Sequence, residues 1–291
     1  MIAMPIRIFL LLTCFFCFSF AEAQKNDPVL EKQLQGLISG FKGDIGIYVH
    51  NLKNHRQVAI HADTIFPTAS IVKIPILTGI MRKIEDGQIT YHQPLIYKDS
   101  LLYEGEDILG SFKNNEKIEL SKVLMLMLTT SDNTASLWLQ SLAGTGTSIN
   151  ELMDSLGLPN TRVNSRTPGR TEQRNKWGWG QTTPREMGQL LEKIINHEVI
   201  SYTASEKMLR LMSRNYWDEE AISRIPADVF IASKSGAIDA SRSELLFVNG
   251  KKCSYVFSIF TKNNQDRSWE PTNEAWELTR KISELLWKYY N

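Results

Sequence analysis

The sequence predicts an α/β (α+β) fold built around one five-stranded antiparallel sheet. Strand patterns occur near both ends of the chain, and helical patterns fill the long stretch between them. Two strands early, three strands late and helices between them suggest that all five strands join a single sheet around one hydrophobic core. We therefore expect N- and C-terminal helices packed on this sheet and an all-helical subdomain inserted at about 68–213.

The first part of the chain supplies a helix, a hairpin and a second helix. Apolar residues at helical spacing indicate helices, and short apolar runs bounded by turn residues indicate strands. These patterns fall at 27–41 (helix), 44–50 and 57–62 (strands joined at 51–54), and from Ser70 to about Glu85 (helix).

The rest of the chain is helical and then returns to strands. Residues 157–182 have no periodic pattern and are rich in Gly, Pro, Arg, Asn and Thr, and so long a loop in a compact domain is usually functional. Asn249-Gly250 is a strong tight-turn signal between two strands. The predicted elements are helices at 135–142, 148–156, 183–196, 204–213 and 276–290, and strands at 229–233, 245–248 and 254–260.

The N-terminus has the features of a secretory signal. A basic Arg7 precedes a short apolar run, and Ala21-Glu22-Ala23 follows as a small-residue cleavage site. The run is shorter than the roughly 20 apolar residues that a membrane span requires. We therefore expect 1–23 to be removed, 24–291 to form the mature domain, and the protein to be secreted across the cytoplasmic membrane into a periplasmic or extracellular space.

Composition excludes several classes of function. A net charge of +1 gives no argument for nucleic acid or an anionic membrane surface as partner. Only Cys253 would remain after cleavage, so no internal disulfide can form. The five histidines show no ligand spacing, and we expect neither a metal nor a cofactor. We expect a monomer that acts on a small molecule.

Ser70 and Lys73 are the polar residues at the start of a mostly apolar helix. Residues three apart on a helix are neighbours, so the hydroxyl and the amine would lie close together, as an activated nucleophile and its base require. The motif is common by chance, and Ser39 with Lys42 matches it as well. A capped core helix with one exposed lysine is the structural alternative.

Two further polar clusters, Ser131-Asp132-Asn133 and Lys234-Ser235-Gly236, distinguish Ser70 from Ser39. Taken alone, the first could be a helix cap and the second the solvated end of a strand. With Ser70 and Lys73, in this order and after a secretion signal, they form a signature set. Over essentially the whole mature chain, the sequence resembles the class A β-lactamases and related penicillin-binding serine enzymes. The resemblance implies the β-lactamase/transpeptidase fold.

The resemblance also implies a role for each residue. Ser70 would be acylated, Lys73 would accept its proton, and Ser131 would pass a proton to the leaving nitrogen. The backbone N–H groups of Ser70 and Ala237 would form the oxyanion hole. The substrate would be bound by Asn133, Lys234, Ser235, Gly236 and Arg242, with Lys234, Ser235 and Arg242 holding its carboxylate and Asn133 its acylamido carbonyl. Tyr103 and Glu104 would line the edge of the cleft.

One position departs from the family pattern. Class A enzymes carry a glutamate before a proline in the long loop, where it activates the deacylating water. An ungapped alignment puts Thr167 at that position, before Pro168. A neutral threonine cannot act as a general base, and the nearest acid, Glu172, lies outside the motif. Three readings follow: slow β-lactam hydrolysis, a D-alanyl-D-alanine peptidase, or a sensor that keeps its acyl group. A non-catalytic binding module is a fourth, which the intact Ser70, Lys73, Ser131 and Lys234 argue against.

Overall fold

The computed structural model describes residues 25–103 and 107–291. The predicted secretory segment at 1–23 and the predicted cleft residue Glu104 lie outside the described residues. In chain order the helices are α1 (Pro28–Ile38), α2 (Lys73–Glu85), α3 (Leu120–Met125), α4 (Asn133–Leu142), α5 (Thr145–Ser155), α6 (Thr171–Trp177), α7 (Pro184–Ile195), α8 (Tyr202–Met212) and α9 (Glu274–Tyr290). The strands are β1 (Lys25–Asn26), β2 (Asp44–Asn51), β3 (Arg56–Ile60), β4 (Phe66–Pro67), β5 (Pro94–Ile96), β6 (Lys117–Glu119), β7 (Arg162–Val163), β8 (Gly180–Thr182), β9 (Phe230–Ile238), β10 (Ser241–Asn249) and β11 (Ser254–Lys262).

The main sheet contains the five predicted antiparallel strands in the order β3-β2-β11-β10-β9. The predicted fold is therefore confirmed, with one correction to the strand count. A sixth strand, β1, pairs with β3 in parallel, through Lys25 with Arg56 and Asn26 with Gln57. Two residues are too few to leave an alternating pattern, so sequence reasoning could not find this edge strand.

Helices cover both faces of the sheet and create two hydrophobic cores. One core lies under the terminal helices α1 and α9, where Leu34, Ile282 and Leu286 meet the strand residues Val49 and Ile259. The other core lies between the opposite face and the inserted helices α2 to α8. The insertion is not purely helical, because it contains the small sheets β4-β8-β7 and β5-β6. These strands have two or three residues each, too few to show periodicity.

Helix α2 lies at the centre of the inserted region. All residues from Lys73 to Met81 are buried. A helix buried on every side needs neighbours all round it, and α4, α5 and α8 all pack against α2. Lys73 is therefore anchored on one of the most enclosed elements of the molecule.

The long segment at 157–182 is less irregular than its sequence suggests. It contains β7, the seven-residue helix α6 and β8. Strand β8 pairs with β4, where Phe66 faces Thr182 and Pro67 faces Gln181. This pairing ties the base of the segment to the residues directly before Ser70.

Candidate active site

Ser70 lies in a tight turn between strand β4 and helix α2. Thr68 donates its backbone N–H to the Gly180 carbonyl at 3.0 Å, and residues Ala69–Val72 then form a 3₁₀ turn. In a 3₁₀ turn residues three apart eclipse each other, which brings Lys73 directly beneath Ser70. Ala69 has φ = 45°, an uncommon conformation for a residue with a side chain. This strain is typical of a functional turn and is held by the surrounding pairing.

The amine of Lys73 joins three predicted site residues. Its Nζ lies 3.1 Å from Ser70 Oγ, 2.9 Å from Ser131 Oγ and 2.9 Å from Asn133 Oδ1, and it also donates to the Ser131 carbonyl. All of these acceptors are neutral oxygens. A neutral amine has two N–H donors and one lone pair. It can therefore donate to the two carbonyl oxygens, of Ser131 and of the Asn133 side chain, and keep its lone pair for the proton of Ser70.

Electrostatics favour the neutral form of Lys73. Burial lowers the pKa of the Lys73 amine well below its usual value, and the nearby charge of Lys234 lowers it further. Asp107 and Asp132 act in the opposite direction and raise this pKa. A lysine with a depressed pKa is the form that can act as a base near neutral pH.

The Ser131 cluster begins after an irregular helical turn. Leu126–Thr130 form a π-helical turn, and Ser131 then takes a left-handed conformation with φ = 64°. Such turns are rare and occur frequently at functional sites. Asp132 then caps α4 by accepting the Ala135 N–H at 2.7 Å. The cluster is therefore both a helix cap and part of the site, so the two readings of its sequence are compatible.

The third predicted cluster lies within strand β9, not at its solvated end. Gly236 faces the Ser70 turn, and a methyl group on it would lie 2.8 Å from the Thr68 carbonyl oxygen and 2.9 Å from the Ser70 nitrogen. These distances are too short for a carbon atom. A glycine here keeps the space in front of the Ser70 N–H open, and the next residue, Ala237, lines the same cavity as Ser70.

Lys234, which belongs to the same strand, is fully buried. Its Nζ donates to the Ser235 carbonyl at 2.8 Å, and burial lowers its pKa to about 7. Glu244, on the adjacent strand β10, raises the pKa of Lys234. Glu244 is itself buried; its own pKa is raised by burial to about 8, and it accepts the Ala221 N–H at 3.1 Å. Each of these two buried side chains favours the charged form of the other, because Lys234 in turn lowers the pKa of Glu244.

Arg242 lines the same cavity, but its guanidinium is already held in place. It contacts two neighbouring indole rings, 4.5 Å from the centre of Trp269 and 4.7 Å from that of Trp276. Its Nε is buried and has no hydrogen-bond partner in the described residues. Its terminal nitrogens donate to the carbonyl oxygens of Ile238, Asp239, Ser241 and Ser268.

One cavity brings together most of the predicted site residues. Its volume is about 630 Å³, within the usual range for small-molecule sites. Lys73 and Lys234 lie beneath its surface and are fully buried. The predicted residues that line the cavity are Ser70, Ser131, Asn133, Ser235, Gly236, Ala237 and Arg242.

The long loop contributes no acid to this cavity among the described residues. Thr167 is buried, its hydroxyl donates to the Ser165 carbonyl at 2.9 Å, and its side chain packs on Gly146. Glu172 is exposed on α6 and does not line the cavity in the described part of the chain. Neither residue faces Ser70 as a general base would have to.

Sequence reasoning missed several residues of this site. Asp107, Glu244, Trp269 and Trp276 line the cavity beside the predicted residues. A glutamate inside an apolar strand was a usable signal for Glu244, because a buried carboxylate requires a partner. The other three carry no local motif, since only the tertiary fold brings their segments to the cleft.

Within residues 25–103 and 107–291, no group of three or more His, Cys, Asp and Glu side chains is arranged to hold a metal ion. In that same part of the chain, no helix is both long and apolar enough to cross a bilayer.

A serine beside a buried lysine, with Gly236 of strand β9 opposite the serine N–H, is an arrangement typical of serine hydrolases. Comparison with known proteins agrees: a model described as the beta-lactamase enzyme family matches residues 28–290. The chain belongs to the β-lactamase enzyme family. It is thus related to the class A serine hydrolases that act on lactam amides.

Individual relatives are distant but align over most of their length. Beta-lactamase VEB-1 from Pseudomonas aeruginosa is 20% identical over 97% of each chain. A beta-lactamase from Streptomyces fradiae is 25% identical over 72% of this chain and 70% of its own. Among solved structures, PBP-A is 25% identical with a TM-score of 0.81, covering 92% of this chain and 97% of its own. The beta-lactamase from Chitinophaga pinensis has the same TM-score at 17% identity, covering 90% and 100%, which shows a shared fold.

Proposed function

We propose that the chain forms a covalent acyl-enzyme at Ser70 with β-lactams and releases the product slowly. Neutral Lys73 takes the proton of the Ser70 hydroxyl, and the serine oxygen bonds to the lactam carbonyl carbon. The carbon–nitrogen bond then breaks, and the leaving nitrogen receives a proton through Ser131. The observation that carries the proposal is the 3.1 Å approach of Lys73 Nζ to Ser70 Oγ beside Ser131 and Asn133.

The remaining residues have matching roles in this proposal. The N–H groups of Ser70 and Ala237 stabilise the negative charge on the carbonyl oxygen. Asn133 binds the acylamido carbonyl of the substrate, and Lys234, Ser235 and Arg242 bind its carboxylate at the other end of the cavity. Slow release follows from Thr167, since the long loop at 157–182 brings no carboxylate to the cavity to activate water for the second step.

A relative supports the first half of this scheme. A Leu-to-Glu variant of PBP-A, 25% identical to this chain, was solved as an acyl-enzyme complex with penicillin G. The test is to mix the protein with a chromogenic cephalosporin in excess. We expect a burst equal to one equivalent of enzyme, followed by a slow steady rate. Rapid linear turnover without a burst would contradict slow release, and the absence of any reaction would contradict acylation.

A second candidate is a D-alanyl-D-alanine carboxypeptidase of peptidoglycan, which the neutral Thr167 and the similarity to PBP-A favour. Release of D-alanine from a peptide ending in D-Ala-D-Ala, compared with the Ser70→Ala variant as a blank, tests it. A protein that only keeps its acyl group, as a sensor would, gives the burst but neither steady cephalosporin hydrolysis nor release of D-alanine. We further propose that the protein acts as a monomer after export, which a mass measurement on the secreted form would check.

A further inference from the structure

Two carboxylates meet the N-terminus of helix α4, where one would be enough for capping. Asp132 accepts the Ala135 N–H at 2.7 Å. Asp107 accepts the N–H groups of Asn133 at 2.9 Å and Thr134 at 2.8 Å, and also the Thr134 hydroxyl at 3.1 Å. The first three N–H groups of the helix, which have no partner inside it, are therefore all bound by carboxylate oxygens.

Capping alone is a weak reason for the second carboxylate. A single Asp at the N-cap supplies most of the stabilisation that a helix start gains. Asp107 adds a like charge near Asp132, whose pKa is already raised by burial and is raised further by Asp107. The cost of this repulsion indicates that Asp107 contributes something besides helix stability.

The partners of Asp107 point to the reaction. Asn133 donates its backbone N–H to Asp107, while its side-chain oxygen accepts from Lys73 at 2.9 Å. Asp107 also lines the cavity that contains Ser70. Its segment is also fixed through Asp132, because Leu109 donates its N–H to Asp132 Oδ2 at 2.8 Å.

The charge of Asp107 opposes that of the second buried lysine. Lys234 lowers the pKa of the Lys73 amine, and Asp107 raises it. Burial is the largest influence and lowers this pKa. Asp132 is the other charged group that acts on Lys73, and it raises the pKa as Asp107 does. Without Asp107, the lysine that takes the serine proton would be a weaker base.

We propose that Asp107 is a positioning residue of the acylation centre, whose carboxylate fixes Asn133 against Lys73 and whose negative charge offsets Lys234. This inference rests on the proposed function, because it assumes that Ser70 is acylated. The inference gives Asp107 a part in the reaction, although no sequence motif around Asp107 indicates one.

The test compares Asp107→Asn with Asp99→Asn, an exposed aspartate of the same segment that does not line the cavity. The measurement is the second-order rate of labelling by a fluorescent penicillin as a function of pH. For Asp107→Asn we expect labelling to slow about tenfold on its plateau, the size of one lost charge-assisted hydrogen bond. Because the Lys73 pKa falls when Asp107 loses its charge, the acidic limb of the profile should also move to lower pH. Asp99→Asn should match the wild type.

A third variant, Asp107→Glu, keeps the charge but changes its reach. We expect it to retain the acidic limb of the wild type while remaining slow. If Asp107→Asn is slower at every pH and its limb does not move, Asp107 is only a helix cap and the inference is wrong. If Asp107→Asn does not fold, a displaced limb in Asp107→Glu overturns the inference. A wild type that is never labelled would instead contradict the proposed function.

Discussion

In the proposed reaction Lys73 serves acylation and Thr167 stands where a deacylating base would be expected, and the surroundings of the two residues differ. Lys73 Nζ lies 3.1 Å from the Ser70 oxygen and contacts Ser131 and Asn133 of the second polar cluster. The Thr167 hydroxyl bonds to the carbonyl of Ser165, two residues away in its own loop, and packs on Gly146. Under the proposal, acylation therefore depends on helix α2 and the Ser131 cluster, whereas deacylation depends on the long loop, so a change in one need not affect the other.

The largest expected effect separates the nucleophile from its chance copy. Ser70→Ala should abolish covalent labelling by a fluorescent penicillin, because it removes the oxygen that forms the bond. Ser39→Ala is the matched control, since Ser39 occupies the same sequence motif but lies at the C-terminal end of α1. Labelling that survives the loss of Ser70, or that disappears with Ser39, would break the assignment.

The next largest effect tests the part that the backbone N–H of Ser70 plays in acylation. Gly236→Ala places a methyl group 2.9 Å from the Ser70 nitrogen. We expect acylation to slow by about 10²–10³, the usual cost of losing an oxyanion donor. Gly36→Ala is the control, because a methyl group there in helix α1 meets nothing within 4 Å. Equal acylation rates in the two variants would show that the strand does not border the oxyanion site.

The next prediction tests deacylation by placing a carboxylate at position 167. Thr167→Glu should raise steady-state turnover of a chromogenic cephalosporin by at least about tenfold, because a general base commonly contributes more than this. The control is Thr167→Gln, which has nearly the same size and cannot take a proton. The side chain must leave Gly146 and turn into the cleft to act. Identical turnover in the two variants would mean that this position cannot supply the base.

The smallest effect concerns the two buried lysines. Acylation by the wild type should rise with pH as Lys73, whose pKa is depressed mainly by burial, loses its proton. It should fall again as Lys234, with a pKa of about 7, loses the charge that holds the substrate. In Lys234→Met the alkaline limb should vanish, and the acidic limb should move to higher pH because a cation near Lys73 is gone. An acidic limb that stays in place would show that the lysines do not interact.

The sequence was sufficient for the sheet and for the motif residues. Period-two strands and apolar helices leave local patterns, and Ser70, Ser131 and Lys234 stand in short motifs. It was insufficient where a residue acts through distant partners. Asp107 gains its role only when its segment folds onto α4, and Trp269 only when it stacks on Arg242. The strand β1 and the helix α6 were missed because each is too short to show a period.

The central claim is that Ser70 is acylated efficiently by β-lactams and that the acyl group is then released slowly. Time-resolved mass spectrometry of the intact protein mixed with penicillin tests this claim most directly. We predict a mass increase of one penicillin per chain, located by digestion on the peptide that contains Ser70, which persists while free penicillin is scarcely consumed. Rapid loss of penicillin with no lasting adduct, or an adduct on any other residue, would contradict the account.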